Sequence, residues 1–347
     1  MSRGAWVRLL VSFGISAVLL FAVLRAIDPA RVAAALGTAD WRVIPVAVAL
    51  YFVGVWIRSA RWGLLLPQQS VPTSTLFRTL VVGFTANNVL PVRMGEVARA
   101  YLLARWCGVP YGSTLASLVV ERILDGLSLA LLLLVSLTVL PSRAPGYLLA
   151  AGALAGAGFC AGGLLVAVAA WRSSAILRVT RWVARPLPRG LAGLVERLAT
   201  SFAGELAFVR GRHRLGMILG LSVLAWCLEL GLFYVLMLGF ALPASLPLAF
   251  LVGSAANFAT LVPSSPGYVG TFDGALIKVL TDSAGAPIDP ALAGAYALVV
   301  HATLFLPVII LGTLVLWRSH MSFTQITHAA DEGAEPQASS GNWPAAA

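Results

Sequence analysis

Charged side chains are scarce in this sequence. Only 11% of its 347 residues are Asp, Glu, Lys or Arg, against about 25% in ordinary soluble domains, and that deficit excludes a protein solvated mainly by water. Cysteine is equally thin: Cys107, Cys160 and Cys227 lie far apart in apolar surroundings and form no CxxC or metal-ligand spacing. Neither a disulfide framework nor a zinc site is expected, and no motif implies a cofactor. A P-loop, a DxD pair and an HExxH are all missing, which removes the common signatures of nucleotide-driven and metal-assisted chemistry. The first apolar run also lacks a good small-residue cleavage site, ending Leu24-Arg25-Ala26-Ile27-Asp28, so it is read as a permanent span rather than a secretory signal.

What the sequence has in excess is hydrophobic length. It is 59% hydrophobic, with a mean hydropathy of +0.89. Apolar runs at 7–27, 43–65, 113–140, 147–170, 215–239 and 291–317 reach the roughly 20 residues that a helix needs to cross a hydrocarbon core. A spanning helix satisfies its own backbone hydrogen bonds, so the expected fold is all-α, a polytopic integral membrane helical bundle.

The formal charge of +10 does not point to nucleic acid, because the arginines track one side of the membrane. With the N-terminus in the cytoplasm, Arg3, Arg8, Arg58, Arg61 and the basic loop 171–214 all fall inside, as the positive-inside rule requires. Both termini are then cytoplasmic, in a multi-pass protein of the bacterial cytoplasmic membrane. The transmembrane domain is expected over 1–318, and the polar, Gly/Ala/Ser-rich stretch 319–347 as a disordered tail.

Two apolar segments, 75–90 and 246–262, are short for a crossing, and each runs into a Pro/Gly break. The first break is Asn87-Asn88-Val89-Leu90-Pro91-Val92-Arg93-Met94-Gly95-Glu96, followed by a short helix at 96–106. The second is Pro263-Ser264-Ser265-Pro266-Gly267-Tyr268-Val269-Gly270, followed by another at 271–281. Interrupted backbone at membrane depth is tolerated only where protein or a wet cavity satisfies it, so both are read as re-entrant or broken helix hairpins. Gly83-x-x-x-Asn87 and Gly253-x-x-x-Asn257 match at an offset of about 170 residues, the internal symmetry of transporter repeats. The topology leaves an inverted repeat open.

Around the first break, Pro91 and Gly95 stop one helix and start another, whose N-terminus, with Glu96, suits a dipole-stabilised site. Exposed N–H groups with Arg93 would hold an anion such as phosphate. Arg99 and Arg105 are expected instead to snorkel to the interface. In Glu121-Arg122-Ile123-Leu124-Asp125, Glu121 and Asp125 share a helix face while Arg122 points elsewhere. Uncompensated charges there would cost roughly 2.5–3.5 kcal/mol each, so they need partners, either an ion-pair network with Arg58, Arg61 or Arg93 or a transported headgroup. Glu229 lies mid-span with no neighbouring base and is a functional candidate by default. His301 is read as a packing residue. The second break offers Asn257, Ser264, Ser265, Gly267 and Asp273, hydroxyls and amides beside unwound backbone that can bind a polar headgroup or an ion.

Arg58-x-x-Arg61-Trp62, Asn88-x-x-Pro91-x-Arg93-x-Gly95-Glu96-x-x-Arg99, Glu121-Arg122-x-x-Asp125 and Pro263-x-x-Pro266-Gly267-x-x-Gly270, in this order, give the chain a family likeness. It resembles the membrane region of the lysylphosphatidylglycerol synthases, a broad family of flippase-like proteins. The resemblance implies a protein that moves, or helps to move, lipids between leaflets, including aminoacylated phosphatidylglycerol and, in some members, polyprenyl-linked or hopanoid-type lipids. It also suggests that Asp273 fills the acidic place found after the second break. Full-length synthases carry a soluble aminoacyl-transfer domain where only a short tail follows here, so the chain is expected not to be an enzyme. Its expected partners are membrane lipids with anionic or zwitterionic headgroups, with a second copy of the chain or a cytoplasmic lipid-modifying enzyme also open. An integral membrane enzyme or accessory subunit acting on lipid-linked precursors, using Glu121, Asp125 or Glu229, is the competing reading.

Overall fold

Long apolar runs in lipid have one cheap way to satisfy their backbone, the α-helix, and the described segments take it. The computed structural model describes residues 28–66, 71–90, 94–140, 145–171, 212–261, 266–319 and 321, and among these there are ten α-helices, one 3-10 turn and no strand. The helices are α1 (Pro29–Thr38), α2 (Val43–Leu65), α3 (Thr73–Val89), α4 (Gly95–Cys107), α5 (Tyr111–Val139), α6 (Gly146–Trp171), α7 (Arg212–Gly239), α8 (Leu246–Ala259), α9 (Thr271–Ser283) and α10 (Pro290–Arg318). The turn is Pro266–Tyr268. The expected span 7–27, Pro91, Arg93, Pro263, Ser264, Ser265, residues 172–211 of the basic loop and the tail from 322 lie outside the described residues.

Punctuation in the sequence sets the helix ends. Asp28 and Asp289 each cap a helix whose first residue is proline, accepting from Ala30 N and Ala291 N, and proline at that position wastes no hydrogen bond. Among the described residues Val43–Leu65, His213–Gly239 and Pro290–Arg318 are long and apolar enough to cross a membrane, with shorter apolar stretches at Gly146–Ala161 and Leu246–Ala259. Helix α5 has 29 residues, about 43 Å at 1.5 Å per residue, and Glu121, Arg122 and Asp125 interrupt its apolar run near the middle. Large apolar side chains such as Val53, Leu131, Leu154, Leu306 and Ile310 lie exposed on the outside, where lipid rather than water suits them.

The packing scheme has two-fold symmetry. Helices α2 and α7 run antiparallel along each other: Asp40 N donates to Gly239 O at 2.8 Å at one end, Arg61 meets Ser222 further along, and the Arg214 guanidinium donates to Leu64 O at 2.8 Å at the other. Around this pair the first hairpin arm α3 packs on α10, and the second half's first arm α8 packs on α5. Likewise α1 lies on α10 as α6 lies on α5, and α4 and α9 each pack between their own hairpin partner and the helix that follows. Each five-helix half therefore lends its elements to the other. An exchange of this kind about an antiparallel pair is generated by an axis perpendicular to the helices, the arrangement of an inverted repeat.

Candidate functional site

The described residues of the two hairpin breaks meet where Gly267 approaches Asn88. In the first, α3 and α4 approach so closely that a Cβ on Gly95 would lie 2.2 Å from Gly83 O, and the Asn87 side chain accepts from Gly95 N at 2.7 Å. In the second, Asn257 donates its amide to Gly253 O at 2.9 Å, and Thr260 bonds back to Asn257 O. Gly267 has φ +73, a conformation that disfavours any side chain, and faces the Asn88 carbonyl, 3.8 Å from where its Cβ would stand.

Between them lies a cavity of about 160 Å³. Its polar wall comes from both halves: Asn87, Asn88, Arg58, Arg122 and Asp125 from the first, Glu229, Asn257 and Thr260 from the second. Tyr51, Phe84, Trp226, Tyr268, Phe272 and Phe305 supply aromatic surface.

Four arginines and four carboxylates form the charged framework around this space. Arg58 pairs with Glu229 at 2.5 Å, and its guanidinium stacks over Trp226 at 4.3 Å. Arg61, fully buried, donates to Asp125 at 2.6 Å and to Ser222 at 3.0 Å, with Glu121 at 3.8 Å. Arg99 grips Glu121 bidentately at 2.7 and 2.9 Å and stacks over Trp62 at 4.1 Å. Arg122 pairs with Glu96 at 2.8 Å. The Trp226 indole adds a bond to Asp125 at 3.2 Å. Charges that would each be costly in hydrocarbon are thus neutralised pairwise, while the donors Arg58 Nε and Nη2, Arg61 Nε and Nη2, and Arg99 Nε keep no hydrogen-bond acceptor.

Several expectations change at this point. Arg99 does not snorkel; it is 1% exposed because Glu121 and Trp62 claim it from two other helices. Arg105 stays exposed. Glu229 is not isolated, since Arg58 neutralises it from a helix 171 residues away in sequence. Arg122, about 100° around the helix from Glu121, lines the cavity together with Asp125. The N-terminus of α4 is not an open anion site at Gly95, whose N–H Asn87 has taken. Asp273 does not line the cavity; it accepts from Gly270 N at 3.0 Å and meets His301 Nδ1 at 2.8 Å. Arg61, Glu96 and Glu121 stand behind the wall as partners of other groups. The sequence places Trp226 and Tyr234 near Glu229, but the rest of the aromatic wall was missed, although Tyr51 lies two helical turns before Arg58 on one face.

One pairing repeats between the halves. Glu96, second residue of α4, binds Arg122, twelfth residue of α5; Asp273, third residue of α9, binds His301, twelfth residue of α10. The first pair is open, with side chains 50% and 30% exposed, and the second is closed, at 16% and 17%.

Known proteins resemble the chain at the level of family. The family described as the lysylphosphatidylglycerol synthase TM region matches residues 6–312. A protein of Haloferax volcanii named glycosyltransferase AglD is 30% identical over 344 residues, covering 89% of this chain and 53% of that protein, so the chain spans about half that relative's length. Two proteins of Methanothermobacter thermautotrophicus, each named UPF0104 membrane protein, are 26% identical; the alignments cover 87% and 76% of this chain and 91% and 82% of those proteins. These relatives are archaeal, and the bacterial membrane expected from the sequence narrows to a membrane location. The expectation of a chain that is not an enzyme is corrected as well, because a relative with an enzyme's name matches most of its length. A matched segment that takes in both hairpins and nearly every helix settles the relationship: the chain belongs to the family of the lysylphosphatidylglycerol synthase transmembrane region.

Proposed function

We propose that this protein moves a lipid with a polar headgroup between the leaflets of the cell membrane. The observation that carries the proposal is a cavity of both charges, amides and aromatic rings inside an apolar bundle, walled by two halves of inverted relation. Ion pairing offsets the cost of burying these charges, and Arg58, which lines the cavity, keeps donors without an acceptor for a polar group. Arg58 and Arg122 suit the phosphate of a headgroup; Asp125 and Glu229 suit an ammonium; Asn88 and Asn257 suit hydroxyls and esters. Gly267 keeps backbone accessible beside them, while Arg93, Ser264 and Ser265 belong to the same two breaks by sequence. Rocking of one half against the other would present the cavity to each leaflet in turn while acyl chains stay in lipid. The open Arg122–Glu96 end, on the arginine-rich side, would face the cytoplasm, with both termini on that side.

Purified protein in vesicles, with headgroup-labelled lipids quenched from outside, tests this reading. Transbilayer movement should depend on the protein and fall at least tenfold in Arg122→Ala. Equal rates with and without protein, across anionic and zwitterionic lipids, would end it. A second reading, favoured by the name of the Haloferax relative, is a role in glycosyl transfer on a lipid-linked substrate with Asp125 or Glu229 as acid or base. Transfer of sugar to a lipid acceptor by the purified chain, lost in Glu229→Gln, is its test.

A further inference from the structure

The repeated ion pair differs between the halves in one chemical respect. Arg122 is permanently charged, whereas an imidazole at the equivalent place has both a neutral and a charged form. We infer that His301 and Asp273 form a proton-binding latch on the closed end of the cavity, and that Arg122 and Glu96 form its proton-independent counterpart on the open end. This rests on the reading of the cavity as alternately accessible and supplies its regulation.

Position carries the inference. Each pair ties the first turn of a hairpin's second arm to the twelfth residue of the following long helix, so each fixes how far that arm stands from the helix beside it. His301 stacks on Phe305 with ring centroids 4.3 Å apart and meets Phe272 edge-on at 5.6 Å, and both phenylalanines line the cavity. Movement of the His301–Asp273 contact therefore moves the wall itself. Asp273 is also fixed to Gly270 N at the second break, which links the latch to the unwound segment.

Other charges near this stretch of α10 are engaged. Helix α9 presents Asp273, with Lys278 further along it bound to Asp282. Helices α2 and α7 present Arg58 and Glu229, bound to each other, with Tyr51 beside them. Helix α3 presents the neutral Asn87 and Asn88, the turn presents Tyr268 against Phe305, and α1 meets α10 through Arg31 and Asp289. Protonation of His301 gives an imidazolium against the Asp273 carboxylate, a charge-assisted bond that holds this end shut. Release of that proton to water leaves a neutral ring and a weaker bond, and the latch opens. Only the imidazolium makes the charge-assisted bond to Asp273, so the latch closes as pH falls and opens as it rises.

The test reads accessibility, not transport. With Cys107, Cys160 and Cys227 replaced, Thr260→Cys on the cavity wall is alkylated by a membrane-impermeant maleimide in protein reconstituted in one orientation into vesicles, with reagent added only from the side opposite the open Arg122–Glu96 end, from pH 5 to pH 8, and rates corrected for the reagent's own pH dependence on an exposed cysteine. The closed end should open at least fivefold more often at pH 8. His301→Arg should be slow at every pH and Asp273→Asn fast at every pH, while Glu96→Gln should keep the pH response. A flat profile in the parent, or an unchanged slope in His301→Arg or Asp273→Asn, overturns the inference. The lipid assay separates the two ideas. Lipid movement without a pH response sinks the latch and leaves transport standing, whereas a His301-dependent response without lipid movement does the reverse.

Discussion

Replacing Arg99 by Met is the sharpest test of the charged framework. Arg99 lies among the most deeply buried side chains of the described residues, and Glu121 takes two of its hydrogen bonds at 2.7 and 2.9 Å. Without it, Glu121 keeps only Arg61, at 3.8 Å and already bound to Asp125. Leaving one partner of a buried pair uncompensated costs about 3–5 kcal/mol, and loss of a desolvated stack such as that on Trp62 is worth up to about 2 kcal/mol of the total. Replacing both partners by apolar residues removes the uncompensated charge, so Arg99→Met/Glu121→Met should lie within about 1–2 kcal/mol of the parent. Unfolding of purified protein in mixed micelles, followed by helicity as denaturing detergent is raised, measures each step of the cycle. A loss below about 1 kcal/mol for Arg99→Met would mean the side chain reaches the interface, and a double variant as unstable as the sum of the singles would show no coupling at all.

Other substitutions probe the hairpins and their packing. Gly95→Ala places a methyl 2.2 Å from Gly83 O and should cost about 1–3 kcal/mol in the same assay, whereas Gly158→Ala, with nothing within 4 Å, should gain roughly 0.5–1 kcal/mol from helix propensity. Thr85 bonds across helices to Val308 O at 2.8 Å, and Thr85→Val should lose about 0.6 kcal/mol and no more than about 1.7; a larger loss would mean the α3–α10 contact is held by more than packing and this bond.

Much of this architecture was legible without coordinates. Hydrophobic length gave the long helices, and Pro/Gly punctuation gave both hairpins within a few residues, because helix breaks are local chemistry. The match of Gly83 and Asn87 to Gly253 and Asn257 anticipated the exchange of α3 and α8 between halves. Pair identities were not legible, since nothing near Glu229 in sequence points to Arg58, and nothing near Arg99 distinguishes a side chain bound for Glu121 from one bound for water. Asp273 reads from the sequence as a ligand-binding residue because it follows the second break, where the family resemblance implies an acidic group. Its match to Glu96, and its partner His301, are visible only once the two hairpins are folded. The need for partners around Glu121 and Asp125 was clear from insertion cost alone, and Arg61 serves both.

The central claim is that the two breaks meet and must separate for lipid to pass. Asn88→Cys and Gly267→Cys, in a background without the native cysteines, place thiols on either side of that meeting point, where Gly267 stands against the Asn88 carbonyl, and a short bis-thiosulfonate reagent joins them reversibly. Vesicles holding this protein should move labelled lipid more slowly than the parent before joining, because an amide and a glycine are lost, stop when cross-linked and recover to the starting rate on addition of reductant. Unchanged lipid movement in the fully cross-linked protein would contradict the account.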